Sequence, residues 1–279
     1  MSEIYRSPEG EALLRAAYAR IRAAWPTAHE SLRLPTRQGE TFVIACGPAE
    51  APPLVLLHGA GANSAMWMGD VAAWAEHFRV YAVDVIGEPG ESAPSRPPRD
   101  GPAYAEWLDD VLDGLGAPRA ALVGISLGGW LALDYAIRRP ARVSRLALIC
   151  PGGVGRVKLS FLVGAMLMVA LGPIGRRLAL ASAGGGAVRP EVAAYMALIF
   201  THFRPRRDKL PQFSDAALRA VAAPALVILG GKDSLLDSHQ TRRRVGALMP
   251  GAEVLFLPEA GHFIFGQTAP VLDFLRAGG

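Results

Sequence analysis

The sequence contains few cysteines, few charged residues and no hydrophobic run long enough to span a membrane. Cys46 and Cys150 are its two cysteines. They exclude a disulfide framework and lack zinc-site spacing, and both end short apolar runs, so we expect buried free thiols. The longest apolar stretch, Leu159–Leu171, falls short of the roughly 18–20 residues that a transmembrane helix needs. The N-terminus is acidic where a signal peptide would be basic. We therefore expect a cytoplasmic protein without stable membrane insertion.

The low charge content excludes a disordered chain. Of 279 residues, 51% are hydrophobic and 19% are charged, so one large domain with a buried core is expected. The formal net charge of +4 is unevenly distributed: residues 151–222 contain ten basic and three acidic residues, and the rest of the chain has an acidic excess. This basic segment has no interleaved aromatic residues or known binding motif, which argues against a nucleic-acid partner. Its charge predicts either attraction of an anionic substrate or a lipid surface, or a solvated arginine-rich exterior.

Seven apolar runs indicate strands, and helical patterns separate most of them. From Leu54 onward the runs do not alternate with polar residues, which is typical of parallel strands covered on both faces. An amphipathic helix at Pro8–Trp25 precedes them. This order predicts an α/β fold with a mostly parallel central sheet flanked by helices. The predicted strands are Thr41–Cys46, Leu54–Leu57, Val80–Asp84, Ala120–Ile125, Leu146–Cys150, Ala225–Leu229 and Val254–Leu257.

About seventy residues between Cys150 and Ala225 contain no strand pattern. We interpret residues 151–222 as a helical cap inserted into a core formed by residues 1–150 and 223–279, with the N-terminal helix inside residues 1–30. Ligands of open α/β sheets bind at the carboxyl ends of the strands, so such a cap would cover the site.

A reactive serine is predicted where the strand Ala120–Ile125 meets the next helix. The sequence there, Gly124-Ile125-Ser126-Leu127-Gly128, fits a nucleophile elbow, G-x-S-x-G, in its strand-to-helix context. The turn is tight and needs glycine on both sides of the serine. Ser126 is the predicted nucleophile.

A serine hydroxyl needs a base, and the base needs an orienting acid. Two later strands end in Gly231-Lys232-Asp233 and in Ala260-Gly261-His262, and the order serine, acid, histidine fits this type of turn. We expect Asp233 and His262 to complete a catalytic triad. Asp237 is a weaker candidate for the acid.

The loop after the strand Leu54–Leu57 is expected to supply an oxyanion hole. Its sequence is His58-Gly59-Ala60-Gly61, and the backbone N–H of Ala60 would lie beside that of Leu127. His58 is interpreted as a hydrogen-bonding residue of that loop. Asp84 is interpreted as a carboxylate that stabilises a turn.

Together these motifs resemble the α/β-hydrolase superfamily from about residue 36 to residue 279. Within it, segments such as His58–Trp67 and Trp107–Leu112 look like capped bacterial carboxylesterases. The resemblance implies a Ser126–Asp233–His262 triad and an oxyanion hole from Ala60 and Leu127. A serine at position 126 argues against the haloalkane dehalogenases and epoxide hydrolases of the superfamily, which have an aspartate there.

The predicted function is hydrolysis of a small carboxylic ester with an apolar group. The same triad acting on a lactone, a thioester or a C–C bond of a vinylogous diketone is the alternative, and a non-catalytic ligand-binding protein is a third. Neither a metal nor a cofactor is expected, because no metal-binding or phosphate-binding motif is present. The oligomeric state is not predicted. Candidate substrate-binding residues are Trp67, Met166 and Phe263.

Overall fold

An eight-stranded sheet lies at the centre of the fold, in the order β1-β2-β4-β3-β5-β6-β7-β8. The computed structural model describes residues 4–160 and 190–277, and the labels below number the elements within those ranges. β1 and β2 are antiparallel to their neighbours, and the pairs from β4 through β3 to β8 are parallel. The strands are β1 (His29–Leu34), β2 (Thr41–Cys46), β3 (Pro53–Leu57), β4 (Arg79–Val83), β5 (Ala120–Ile125), β6 (Val143–Ile149), β7 (Ala225–Gly230) and β8 (Ala252–Leu257).

Helices cover the sheet, and none of those in the described ranges is long and apolar enough to cross a membrane. Residues 64–75 form a 3-10 turn, Ser64–Trp67, followed after Gly69-Asp70 by a short helix. The helices are α1 (Pro8–Ala23), α2 (Val71–Ala75), α3 (Ala103–Gly114), α4 (Leu127–Arg138), α5 (Pro190–His202), α6 (Asp215–Arg219), α7 (Ser238–Leu248) and α8 (Thr268–Arg276).

Both faces of the sheet are buried, as the continuous apolar runs predict. Successive residues of a strand point to opposite faces, so Leu122 packs into a core with α3, α4 and α7. Its neighbour Val123 packs into a second core with α2 and α8. This two-sided burial confirms the α/β fold with a mostly parallel sheet. Both cysteines are buried and free.

The segment predicted to be inserted, residues 151–222, is described at its two ends, and residues 161–189 lie outside the described ranges. α5 packs against the start of the chain, where Tyr5 pairs with Phe203 in an isolated bridge. Further along, Phe213 stacks on Trp130 with ring centroids 5.9 Å apart. The side chain of Leu218 in α6 is fully buried in the main core. The end of the segment thus contributes to the core, and the extent of a cap stays a prediction.

Replacing Leu218 with alanine is expected to lower the free energy of unfolding by about 2–5 kcal/mol, because it leaves a cavity in a packed core. Leu13 in α1 is 52% exposed, so Leu13→Ala should change the free energy of unfolding by no more than about 0.5 kcal/mol. Urea unfolding of the two variants measures the difference. Equal small effects would mean that α6 contributes little to the core.

Candidate active site

Ser126 occupies a strained turn between β5 and α4. Its backbone has φ 51° and ψ −105°, a conformation that costs energy for a residue with a side chain and that is found at functional sites. A Cβ atom at Gly124 would overlap the backbone of Gly128, and a Cβ at Gly128 would overlap the Leu57 carbonyl. The two glycines are therefore required for the turn that presents the serine at the carboxyl end of β5.

The structure brings Ser126, His262 and Asp233 together from the ends of three strands. His262 Nε2 lies 3.1 Å from Ser126 Oγ, and His262 Nδ1 lies 2.8 Å from Asp233 Oδ2. Because β5, β7 and β8 are parallel, their carboxyl ends meet at one edge of the sheet. The contacts form a chain from hydroxyl to imidazole to carboxylate, which is the arrangement that a serine nucleophile requires.

Asp233 is held as a buried carboxylate. Its Oδ1 accepts hydrogen bonds from the backbone N–H groups of Leu235 and Leu236, at 2.8 and 2.9 Å. Burial disfavours the charge, but the hydrogen bond and charge of His262 and the two amides outweigh it and hold the pKa of Asp233 below its usual range. Asp237 has a different contact: its carboxylate accepts from Gln240 N at the start of α7, at 2.9 Å.

Cys150 lies close to Asp233 and His262. Ligand atoms of Cys150, Asp233 and His262 are all within 4.8 Å of one another. Burial, together with the charge of Asp233, raises the pKa of the Cys150 thiol to about 12. The neutral thiol is therefore the favoured form of Cys150.

The loop at residues 58–61 adjoins the serine. A Cβ atom built on Gly59 would lie 3.8 Å from Ser126 Cβ. The N–H groups of Ala60 and Leu127 donate to no acceptor among the described residues. His58 anchors the loop: its Nε2 accepts from Val85 N at 2.9 Å, and its Nδ1 donates to Gly59 O at 2.8 Å. Burial lowers the pKa of His58, which favours the neutral imidazole that these two contacts need.

Asp84 stabilises the neighbouring turn and does not contact the serine. Its buried carboxylate accepts from Ser64 N, Ser64 Oγ and Tyr18 Oη at 2.7–2.9 Å. It also accepts from Glu91 N at 2.8 Å. These four bonds join α1 and the turn after β3 to the end of β4, which is the structural role inferred from the sequence.

The predicted substrate-binding residues have three different positions. The Phe263 ring lies 5.7 Å from the His262 ring and is 42% exposed. Trp67 is fully buried and packs on Trp74 at 5.8 Å. The structure therefore gives Trp67 a core role. Met166 lies outside the described residues.

Three residues at the site escaped sequence reasoning. Lys158, a basic residue of the segment 151–222, donates from Nζ to the backbone carbonyl of Asp233 at 2.5 Å. It therefore contacts the loop that carries the proposed triad acid. Cys150 follows β6, which is a neighbour of β5 in the sheet. Its position directly after that strand could have predicted that it lies near Ser126. Glu88 contacts the Gly61 amide, and nothing in the sequence pattern marks this carboxylate.

Comparisons with known proteins agree with this fold. Residues 54–274 match the alpha/beta hydrolase family. A Bacillus subtilis protein called uncharacterized carboxylesterase nap is 33% identical over 248 residues, covering 86% of this chain and 83% of that protein. The crystal structure of carboxylesterase CesB (YbfK) from B. subtilis has a TM-score of 0.86 at 30% identity, covering 97% of this chain and 100% of the other. That of B. subtilis naproxen esterase has a TM-score of 0.82 at 29% identity, covering 97% and 95%.

Proposed function

This chain belongs to the alpha/beta hydrolase family, and on that premise we propose that it hydrolyses carboxylic esters with Ser126 as the nucleophile. The observation that carries the proposal is the continuous contact from Ser126 Oγ through His262 to the buried carboxylate of Asp233. The similarity of this chain to proteins named carboxylesterases supports the choice of an ester as the substrate class.

In the proposed reaction, Ser126 Oγ attacks the ester carbonyl while His262 Nε2 accepts the hydroxyl proton. His262 then donates that proton to the departing alcohol, leaving an acyl-enzyme. His262 Nε2 then removes a proton from a water molecule, and the water oxygen attacks the acyl-enzyme carbonyl. As the acid is released, His262 donates the proton to Ser126 Oγ. Asp233 orients His262 through Nδ1 and stabilises the imidazolium. Its two backbone hydrogen bonds keep the carboxylate fixed during these steps.

The negative charge that develops on the carbonyl oxygen needs donors that are already in place. The Leu127 N–H is the first of α4, where the helix dipole also favours an anion. The Ala60 N–H belongs to the loop beside Ser126. We assign these two groups to the oxyanion hole. Removing one such donor typically costs about 3–4 kcal/mol of transition-state stabilisation.

An apolar acyl group is the substrate feature that we propose. The half-exposed ring of Phe263 offers apolar surface beside His262, and we propose that the acyl chain packs on it. One of the similar structures is called naproxen esterase.

A panel of p-nitrophenyl acetate, butyrate and hexanoate tests this proposal. We expect kcat/KM to rise about tenfold from acetate to butyrate, because two additional methylene groups leave water. Phe263→Ala should reduce that ratio. A lactone, an alkyl thioester and a vinylogous diketone belong in the same panel. Turnover of one of these with no ester hydrolysed above buffer would contradict the proposal.

A further inference from the structure

A buried carboxylate contacts the loop next to the nucleophile. Glu88 follows β4 and is only 4% exposed. Its Oε2 accepts a hydrogen bond of 2.7 Å from the backbone N–H of Gly61. The loop that Gly61 ends is the one that adjoins Ser126.

This contact completes a two-point attachment. At the start of the loop, His58 Nε2 accepts from Val85 N at 2.9 Å; at its end, Gly61 N donates to Glu88. Residues 58–61 are thus held at both ends by the turn after β4. Gly61 has a positive φ of 65°, which glycine adopts readily but also leaves readily. The carboxylate selects one orientation of the peptide between Ala60 and Gly61.

The charge of Glu88 is sensitive to its surroundings. Burial raises its pKa to about 7, against the lowering effects of the Gly61 amide and of Arg96, Arg99 and Arg206. Tyr104 also faces this group and hydrogen-bonds to Arg206 at 3.0 Å. The three arginines come from the segment after the turn and from the segment after α5, and they supply the positive charge that lets the carboxylate ionise in the interior.

We propose that Glu88 is a positioning residue of the esterase reaction, whose carboxylate fixes the Gly61 amide and thereby aims the neighbouring Ala60 N–H at the oxyanion. This inference rests on the proposed function. Glu88 does not touch the substrate; it acts through the loop backbone. A donor aimed at the transition state affects kcat, whereas ground-state binding changes little.

Glu88→Ala is therefore expected to lower kcat by about 10- to 100-fold, less than complete loss of an oxyanion donor, with KM within about threefold of the wild-type value. Glu88→Gln keeps a neutral acceptor for Gly61, so its kcat at pH 8 should lie between those of Glu88→Ala and the wild type. Glu91 is the matched control: it lies in the same turn and pairs with Arg15, Arg22 and Arg33, but its side chain does not contact the loop. Glu91→Ala should leave kcat unchanged.

The pH profile separates positioning from a purely structural role. A carboxylate accepts a hydrogen bond more strongly than a carboxylic acid, so kcat should decrease as pH falls through about 7 and Glu88 becomes protonated. Glu88→Gln has no carboxyl group to protonate, so the ratio of wild-type kcat to Glu88→Gln kcat should decrease as pH falls through about 7.

The experiment measures kcat and KM for p-nitrophenyl butyrate from pH 5 to 9 in wild type, Glu88→Ala, Glu88→Gln and Glu91→Ala, with a melting temperature for each. Wild-type kcat in folded Glu88→Ala, or a loss confined to KM, would overturn the inference and leave the proposed function intact. If Glu88→Ala does not fold, the comparison with Glu88→Gln decides: a ratio of wild-type kcat to Glu88→Gln kcat that does not change with pH overturns the inference. A wild type that hydrolyses no ester overturns the proposed function, and the inference with it.

Discussion

Ser126→Ala is expected to reduce kcat for p-nitrophenyl butyrate by about 10⁴-fold or more, because no other hydroxyl lies within reach of His262 Nε2 among the described residues. The residual rate would come from the oxyanion donors and binding alone. Steady-state hydrolysis at pH 8, with background subtracted, measures the loss.

The fold should survive this substitution. Alanine experiences nearly the same backbone strain at φ 51° as serine does, so the melting temperature should stay close to the wild-type value. Ser31 on the exposed edge strand β1 is the matched control, and Ser31→Ala should retain full activity. A kcat for Ser126→Ala within tenfold of wild type would exclude Ser126 as the nucleophile.

Asp233→Asn should lower kcat by about 10³- to 10⁴-fold while the protein remains folded. The two backbone N–H groups of Leu235 and Leu236 select the amide oxygen of the new asparagine at the Oδ1 position. Its NH2 group then faces His262 Nδ1 and donates to it. The imidazole is forced into the tautomer with hydrogen on Nε2, which cannot accept the proton of Ser126.

Asp237→Asn is the control for this prediction. Asp237 caps α7 through Gln240 N, and asparagine caps helices as well as aspartate does, so kcat should stay within about twofold. Comparing the two variants also decides between the two acids considered from the sequence. A large loss in Asp237→Asn with none in Asp233→Asn would reverse their assignment.

The sheet could be predicted from the sequence where burial dominates. β5 and β7 are apolar on both faces, and their predicted bounds differ from the observed ones by at most one residue. β1 was missed because most of its residues are exposed, with only Leu34 buried. It lies at the edge of the sheet, where one partner strand suffices and an apolar pattern is not required.

The site could be predicted in part for a similar reason. Ser126, Asp233 and His262 each follow a strand, so parallel strands bring them to one edge without any knowledge of side-chain packing. Trp67 shows the limit of this reasoning, because an aromatic residue after a loop gives no sign of which side it packs on, and the structure buries it beside Trp74. Glu88 shows a second limit of this reasoning. Its hydrogen-bond partner is the backbone amide of Gly61, 27 positions away in the sequence, and no side-chain pattern marks a backbone amide as a partner.

The basic character of the inserted segment also needed the structure. Arg206 donates to Pro97 O in the core at 2.7 Å, and within the segment it pairs with Asp208 at 2.6 Å. Lys158 donates to the Asp233 carbonyl. These cations attach the segment to the core, so its net charge overstates the positive charge that is free to attract a substrate.

Mapping the adduct of a fluorophosphonate probe tests the central claim most directly. The probe reacts with a serine only when a neighbouring base activates it. We expect one adduct per chain, located on Ser126 by peptide mass spectrometry, forming at the same rate as esterase activity is lost and absent in His262→Ala. Full esterase activity without an adduct, or an adduct on a different residue, would contradict the account.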